Sequence, residues 1–480
     1  MQTYEDLINE FMRPWKRITR WKNMPNPKKE KVIEHTFKEC VNTIFALALE
    51  KNNARSINKL RVLTAKFWHD VGEGIIGNDI SRDIKRDKRL CDKKGRGVFD
   101  KIEKKKTIAY LKKMPVETKK FLKFSLQLIK ELDHRTVEEK ICDALEYYGY
   151  LNFAIAEIKN KNKKISGDAQ ISSANTTAFH NVIKNNTPDL LKYQKMFKFV
   201  EKFKEVIDKF QKTNFLVDDW LSETTLRRIL DVLYDRDEGL AWLKFETNET
   251  LLERTMKTAA LATFLLPQES SYGTRINGYK VLCTALLHKL DKVNFPVLPP
   301  DVKKDEELKK YEGSLRDIQV ERLMPFILDC PQIMQDAILE AYLLERDRDS
   351  IEGRFFDAIK NLSCVLFAHH EWSRGKIEFR EVFENCDAEL SEYSKEFRSI
   401  RETYLPIKED FERLAKDGSE YEKCLKRIDE QDKQIATLTQ ELERQATILK
   451  RQDQIIEMLE TMKKEKKEME KRLKKLEGKK

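Results

Sequence analysis

The sequence predicts an all-α fold, and three observations carry that expectation. Helix-forming Lys, Glu, Leu and Arg are abundant, while the 480 residues include only 15 Gly and 12 Pro. Apolar residues recur at three- and four-residue intervals, as in Val32, Cys40, Val41, Ile44, Phe45 and Ala48, the spacing of one buried helical face. The end of the chain keeps a heptad period. At 40% apolar and 36% charged residues, the chain can build real cores and long solvated helical faces. Its length accommodates two or three domains.

In chain order, residues 1–22 form an amphipathic start expected to break at Pro14 and to end in Arg20-Trp21. A loop with two prolines and many lysines follows. A helix is expected from about Val32 to Lys51, and a second one leads into His69-Asp70, with Glu73 one turn beyond. After a basic loop with Gly95 and Gly97, helices are expected at about 107–133 and 135–160. A polar loop at 161–178 then leads to a helical stretch ending near Lys212.

The second half repeats the first. Glu34-His35-Thr36 matches Glu253-Arg254-Thr255, and the 34-residue spacing of His35 and His69 recurs between Arg254 and His288. Residues 136–145 (TVEEKICDAL) align without gaps on 350–359 (SIEGRFFDAI), which sets Asp357 against Asp143. A tandem duplication accounts for three matches in one order. From Tyr421 the pattern changes to heptads through Ile428, Ile435, Leu442, Leu449 and Ile456. After a phase shift it continues through Ile455, Met462, Met469 and Leu476, with Gly418-Ser419 as the expected joint. A lone helix of that length would leave its seam wet, so self-association is expected, as a homodimer ahead of a heterotypic partner, and Gln431, Gln445 and Gln452 near the seam point to a modest or register-specific interface.

Composition excludes several classes. No apolar run reaches membrane-spanning length, and the N-terminus lacks a signal-peptide pattern. The eight cysteines are scattered, several within apolar helical runs, with no disulfide framework or CxxC pair; a reducing, cytoplasmic setting is expected. The net charge of +10 concentrates at 82–106 and at the C-terminal end. The first cluster follows the His-Asp pair, where it would attract a phosphate-bearing ligand or simply form a solvated loop. Without a basic stripe interleaved with aromatics, dedicated nucleic-acid binding is not favoured.

One polar constellation carries chemistry. His35 alone would be a helix-end residue, and a His-Asp dipeptide alone a surface accident. Asp143 sits among Ile141, Cys142, Ala144 and Leu145, where an acid is costly unless paired or coordinated. A salt bridge to a neighbouring lysine would serve as well as a metal. Taken together, His35, His69, Asp70 and Asp143 offer two imidazoles and two carboxylates. That mixture suits one divalent transition metal ion (Mn, Co, Fe, Ni or Zn) better than Ca or Mg.

This ordered set resembles the H…HD…D pattern of the HD superfamily of metal-dependent phosphohydrolases. Within it the likeness is to the YfbR-type 5'-deoxynucleotidases, over most of residues 15–160. It rests on Arg20-Trp21, Glu34-His35, His69-Asp70-Val71-Gly72-Glu73, Gly77-Asn78-Asp79 and the 138–145 stretch. The resemblance implies that His35, His69, Asp70 and Asp143 hold the ion and that Glu73 orients or deprotonates a water. It implies that Arg20 clamps a 5'-phosphate and Trp21 shapes the sugar and phosphate pocket. The bland readings are a surface acid for Glu73, a salt-bridged arginine for Arg20 and a core residue for Trp21. The family's Gly-Asp step is displaced here by one residue: either Asn78 takes the sugar-facing place or a small bulge restores Asp79.

The expectation is thus two HD-type helical domains in tandem plus a C-terminal coiled coil: a catalytic domain at 1–212, a degenerate one at 213–416, and the coiled coil at 417–480. In the second copy Arg254, Lys289 and Lys292 replace His35, Asp70 and Glu73, which removes metal chemistry and would let a cation pair with Asp357. Trp242 echoes Trp21 but follows Ala241, so the arginine clamp is missing as well. The expected activity is hydrolysis of nucleoside 5'-monophosphates, deoxyribonucleotides foremost. The alternatives are an HD phosphohydrolase on another ester (a dNTP, a cyclic nucleotide or an oligonucleotide) and a non-catalytic coiled-coil scaffold.

Overall fold

The computed structural model describes residues 3–20, 30–49, 57–78, 85, 87–91, 97–130, 136–139, 141, 142, 145, 146, 149, 152, 223–234, 249–293, 306–376 and 379–477. Among them the chain is helical, with two isolated antiparallel bridges, Thr19 to Lys31 and Cys91 to Gly97, and no strand. No described helix is long and apolar enough to cross a membrane. Residues 1–407 form one compact unit and residues 408–480 a second.

Helix α1 (Tyr4–Arg17) starts with a capping box between Thr3 and Asp6. It was expected to break at Pro14, yet Pro14 lies inside it. The helix ends one turn later, where the Ile18 N–H donates to the Pro14 carbonyl at 2.8 Å; the proline has no N–H to give the Glu10 carbonyl, and the helix continues past it for its last turn only. Helix α2 (Val32–Leu49) follows the Thr19–Lys31 bridge. Helix α3 (Lys59–Trp68) and the short α4 (Val71–Ile76) meet at His69-Asp70. The helix expected at 107–133 is two, α5 (Val98–Leu111) and α6 (Val116–Lys130), because Pro115 opens the second. The expected 135–160 helix is described only in part, and the stretch ending near Lys212 lies outside the described residues, as does Trp242.

The second half begins with α7 (Glu223–Tyr234), α8 (Leu251–Ser271) and α9 (Gly278–Leu287). It continues with α10 (Glu306–Lys310), α11 (Glu312–Ile327), α12 (Gln332–Arg346), α13 (Ile351–Trp372) and α14 (Arg380–Glu396). Two pairs of positions repeat in detail. Asn58 caps α3 by accepting from the Arg61 N–H at 3.0 Å, and Asn277 caps α9 by accepting from the Lys280 N–H at 3.3 Å. The Asn58 N–H donates to Glu138 at 3.3 Å, and the Asn277 N–H donates to Glu352 at 2.9 Å.

The halves share a core. Phe11 and Trp15 of α1 pack on Trp68 and Phe67, and Trp68 stacks on Phe264 with ring centroids 5.5 Å apart. The Trp68 indole N–H donates to Thr263 at 3.0 Å, and the Thr118 hydroxyl donates to the Phe264 carbonyl at 2.7 Å. Lys16 pairs with Glu253 at 2.7 Å.

Helix α15 (Arg398–Glu477) continues as helix without a break through Gly418-Ser419, the expected joint. One glycine costs about 1 kcal/mol in a helix, too little to stop it among strong helix formers.

Candidate metal centre

Local chain geometry places three donor atoms together. His69 closes α3 with helical dihedrals, and Asp70 opens α4 at φ −95°, ψ 12°, so the two side chains leave a bend rather than one helix face. That bend is held from outside. The Trp15 indole N–H donates to the Asp70 carbonyl at 3.0 Å, and a Cβ on Gly74 would lie 2.6 Å from the same indole nitrogen. Only glycine lets α4 approach α1 this closely. His35 enters from the first turn of α2.

His35, His69 and Asp70 are at most 9% exposed. His69 Nε2 lies 3.3 Å from His35 Nε2 and 3.2 Å from Asp70 Oδ2, and His35 Nε2 lies 3.8 Å from Asp70 Oδ2. His69 Nδ1 donates to the Lys66 carbonyl at 2.6 Å, which turns Nε2 towards the other two groups. Burial and the Arg20 guanidinium hold His35 well below the usual imidazole range, so it is neutral and offers a lone pair. At His69 burial is outweighed by Asp70, which raises the imidazole. At Asp70 burial is likewise outweighed, by His69 and Arg20, which hold the carboxyl well below its ordinary value.

These groups fit a divalent transition ion. Ligands about 2.0–2.2 Å from one tetrahedral centre stand roughly 3.3–3.6 Å apart, close to the three spacings here. Two imidazoles and a carboxylate are the donor mixture such ions take, and among the described residues this trio is the one cluster of His, Cys, Asp and Glu close enough to hold an ion. The expected fourth ligand, Asp143, lies outside the described residues, as do Trp21 and Asp79.

The other expected site residues fall as follows. Arg20 is buried and its Nη1 donates to Asp70 Oδ2 at 2.9 Å, with Glu30 3.8 Å from its Nε. Glu73 is buried one turn beyond Asp70 and accepts from Lys85 at 3.3 Å, while Lys85 also pairs with Glu103 at 2.8 Å. Asn78 is exposed behind Gly77, whose φ of 79° ends α4. It lines a cleft of about 700 Å³ with Thr19, Arg13, Arg17 and, from the second half, His370.

Sequence reasoning missed two supports. Glu30 faces Arg20, sits 4.0 Å from His35 Nδ1 and pairs with Lys38. Lys66 is fully buried behind His69, pairing with Glu39 at 2.9 Å and lying 3.8 Å from Glu146. Burial alone would lower the Lys66 ammonium, but Glu39 and Glu146 raise it, so it stays charged. A lysine three residues before His69 in an otherwise apolar run was the available signal.

Contacts of the same kind occur in the second half of the chain. His288 Nδ1 donates to the Ala285 carbonyl at 3.0 Å, as His69 does to Lys66. Glu249 pairs with Lys257 at 2.6 Å, as Glu30 does with Lys38. Arg254, in the place of His35, pairs with Glu249 at 3.3 Å. Asp357 does pair with a guanidinium and an ammonium, but among the described residues these belong to Arg348 and Lys360 and not to the cations that replace the first-half donors. The reason is proximity: Lys360 lies one turn ahead on the same helix.

Residues 9–196 match the 5'-deoxynucleotidase YfbR-like family, and this stretch carries all four residues expected to hold the ion. That similarity supports an HD-type phosphohydrolase acting on nucleotides, a class that uses a divalent metal. No curated protein and no solved structure matches the chain.

Proposed function

We propose that this protein hydrolyses nucleoside 5'-monophosphates, deoxyribonucleotides foremost, with one divalent transition metal ion held by His35, His69, Asp70 and Asp143. The observation that carries the reading is the convergence of His35 Nε2, His69 Nε2 and Asp70 Oδ2 in a buried bend. A bound ion supplies Lewis acidity and screens the charge that develops on the phosphoryl oxygens. In the reaction a water oxygen bonds to phosphorus, the bond from phosphorus to the 5'-oxygen breaks, and the proton lost by water is replaced on the alkoxide, giving nucleoside and phosphate. Glu73, one turn past Asp70, is assigned the water's proton. Arg20, against Asp70, presents a planar fork that matches two phosphate oxygens. Trp21 walls the pocket, and Asn78 or Asp79 meets the sugar.

The same reading makes residues 213–416 a degenerate copy without metal. The paired Asn caps, the matched histidine anchors and the repeated Glu–Lys pairs support descent from one duplicated unit. Two cations placed where an imidazole and a carboxylate would be needed oppose a divalent ion.

The test is a panel of nucleoside 5'-monophosphates with added Mn or Co, run on wild type and Asp70→Ala. Phosphate release by wild type alone is expected. Turnover confined to triphosphates, cyclic nucleotides or oligonucleotides would move the assignment to another ester. Turnover of none would leave a scaffold, and equal turnover by the variant would remove the site.

A further inference from the structure

We propose that the C-terminal helix pairs with a second copy of this chain as a parallel, in-register coiled coil. In the heptad register the a positions of α15 are Ile428, Ile435, Leu442, Leu449 and Ile456. The d positions are Gln431, Leu438, Gln445, Gln452 and Leu459. The described aliphatic seam residues Ile435, Leu438, Leu442, Ile456 and Leu459 are 53–66% exposed. An apolar seam at this period faces one neighbouring helix and is unstable in water without it. Burying roughly 100 Å² at each of these five positions on two helices removes roughly 1,000 Å² from water. That alone reaches the size at which an interface is specific, about 1,000 Å².

The three glutamines choose the orientation. In a parallel, in-register pair each d residue faces its own counterpart. Gln431, Gln445 and Gln452 then meet glutamine, and each amide finds both a donor and an acceptor. In an antiparallel pair an a residue faces a d residue. Overlaying 428–459 on itself that way sets Gln431 against Ile456, Gln445 against Leu442 and Gln452 against Ile435. Every one of those amides would be desolvated against aliphatic carbon. A foreign partner would need polar residues at the same three layers, whereas a second copy supplies them by symmetry. Polar residues at seam positions are the usual device for fixing register.

Past this block the seam steps by three residues, from Ile456 to Leu459 to Met462, and continues through Met469 and Leu476. Such a three-residue insertion overwinds a coiled coil locally without ending it. Upstream the register extends by one heptad to Tyr421 at a and Cys424 at d. Parallel pairing therefore brings the two Cys424 positions together, within the span that a disulfide bridges. The antiparallel overlay would separate them by about 60 Å at 1.5 Å per residue.

Cys424 is thus a built-in reporter for the full-length chain. By light scattering after gel filtration, wild type is expected at twice its 56.8 kDa chain mass. Leu438→Asp/Leu442→Asp is expected at the monomer mass, with the thermal transition of residues 1–407 retained as the check on folding. Oxidation with copper phenanthroline is expected to give a covalent dimer on a non-reducing gel for wild type and none for Cys424→Ser. A monomeric wild type, a larger oligomer, or a dimer that survives both aspartates overturns the proposal. So does a dimer that copper phenanthroline leaves uncross-linked, since that is the antiparallel result, or one whose cross-link survives Cys424→Ser.

Discussion

Lys360 Nζ lies 2.9 Å from Asp357 Oδ1, at the position where the first half of the chain has Glu146. The exchange of a carboxylate for an ammonium matters because Asp357 is only 1% exposed and aligns with the expected metal ligand Asp143. Lys360 also reaches Glu345 at 3.4 Å, so one ammonium answers two carboxylates, with the Arg348 guanidinium as the second partner of Asp357. Burial pushes Asp357 up, but Lys360 and Arg348 pull it lower still, below its ordinary value.

Lys360→Met is therefore expected to destabilise residues 1–407 by about 1–3 kcal/mol, the cost of losing one charged partner while Arg348 keeps Asp357 paired. Urea unfolding would measure it. Elemental analysis of wild type and variant should both give one metal per chain. Two metals per chain in wild type would contradict the assignment of the second half as metal-free.

Removing the metal should be legible in stability as well as in turnover. An ion bound only by the folded chain adds about 2.7 kcal/mol when present at 100 times its Kd. Chelation is expected to lower Tm and abolish phosphate release, and added Mn or Co to restore both. In Asp70→Asn the chelator should leave Tm unchanged, because the variant lacks a ligand to lose.

Lys66 supports the site from behind. Lys66→Met leaves Glu39, 1% exposed, without the ammonium that it pairs with at 2.9 Å. A loss of about 3–5 kcal/mol is expected by urea unfolding. Lys66→Met/Glu39→Gln should recover most of it, because the stranded charge is gone. The bond from His69 uses the Lys66 backbone carbonyl, so metal content should survive in the double variant.

The pH dependence of stability has a contributor in His288. Burial, with Lys289 and Lys360, pushes this imidazole down to about 3 from its ordinary 6.5, against the opposing pull of Glu345. Its Nδ1 is used by backbone carbonyls, and its Nε2 is buried without a hydrogen-bond partner among the described residues. The unfolded chain binds the extra proton between those two values. The contribution of neutral His288 is therefore complete above pH 6.5 and is lost as pH falls towards 3. Wild type should lose up to about 1.4 kcal/mol per pH unit more than His288→Gln between pH 6 and 4.5, read from urea unfolding at each pH.

The sequence by itself determined the helical class, and it displayed the likeness of the two halves and the candidate ligand residues. Those depend on periodicity, spacing and chemical type, which are properties of the linear chain. The 34-residue interval and the His69-Asp70 pair were legible because a repeat and a dipeptide need no third dimension. It did not determine that Trp68 would cross to Phe264 and merge both halves into one core, because apolar patterns say which face is buried and not against what. Nor did it predict Glu30 beside Arg20, or Lys66 charged in the interior, since a charge in an apolar run reads as an error until its partner is found. Only the tertiary structure decided that the bend at Asp70, pinned by Trp15 and Gly74, turns three side chains inward. Convergence of donors is a matter of distance in space, and here the residues that create it lie 55 positions apart in the chain.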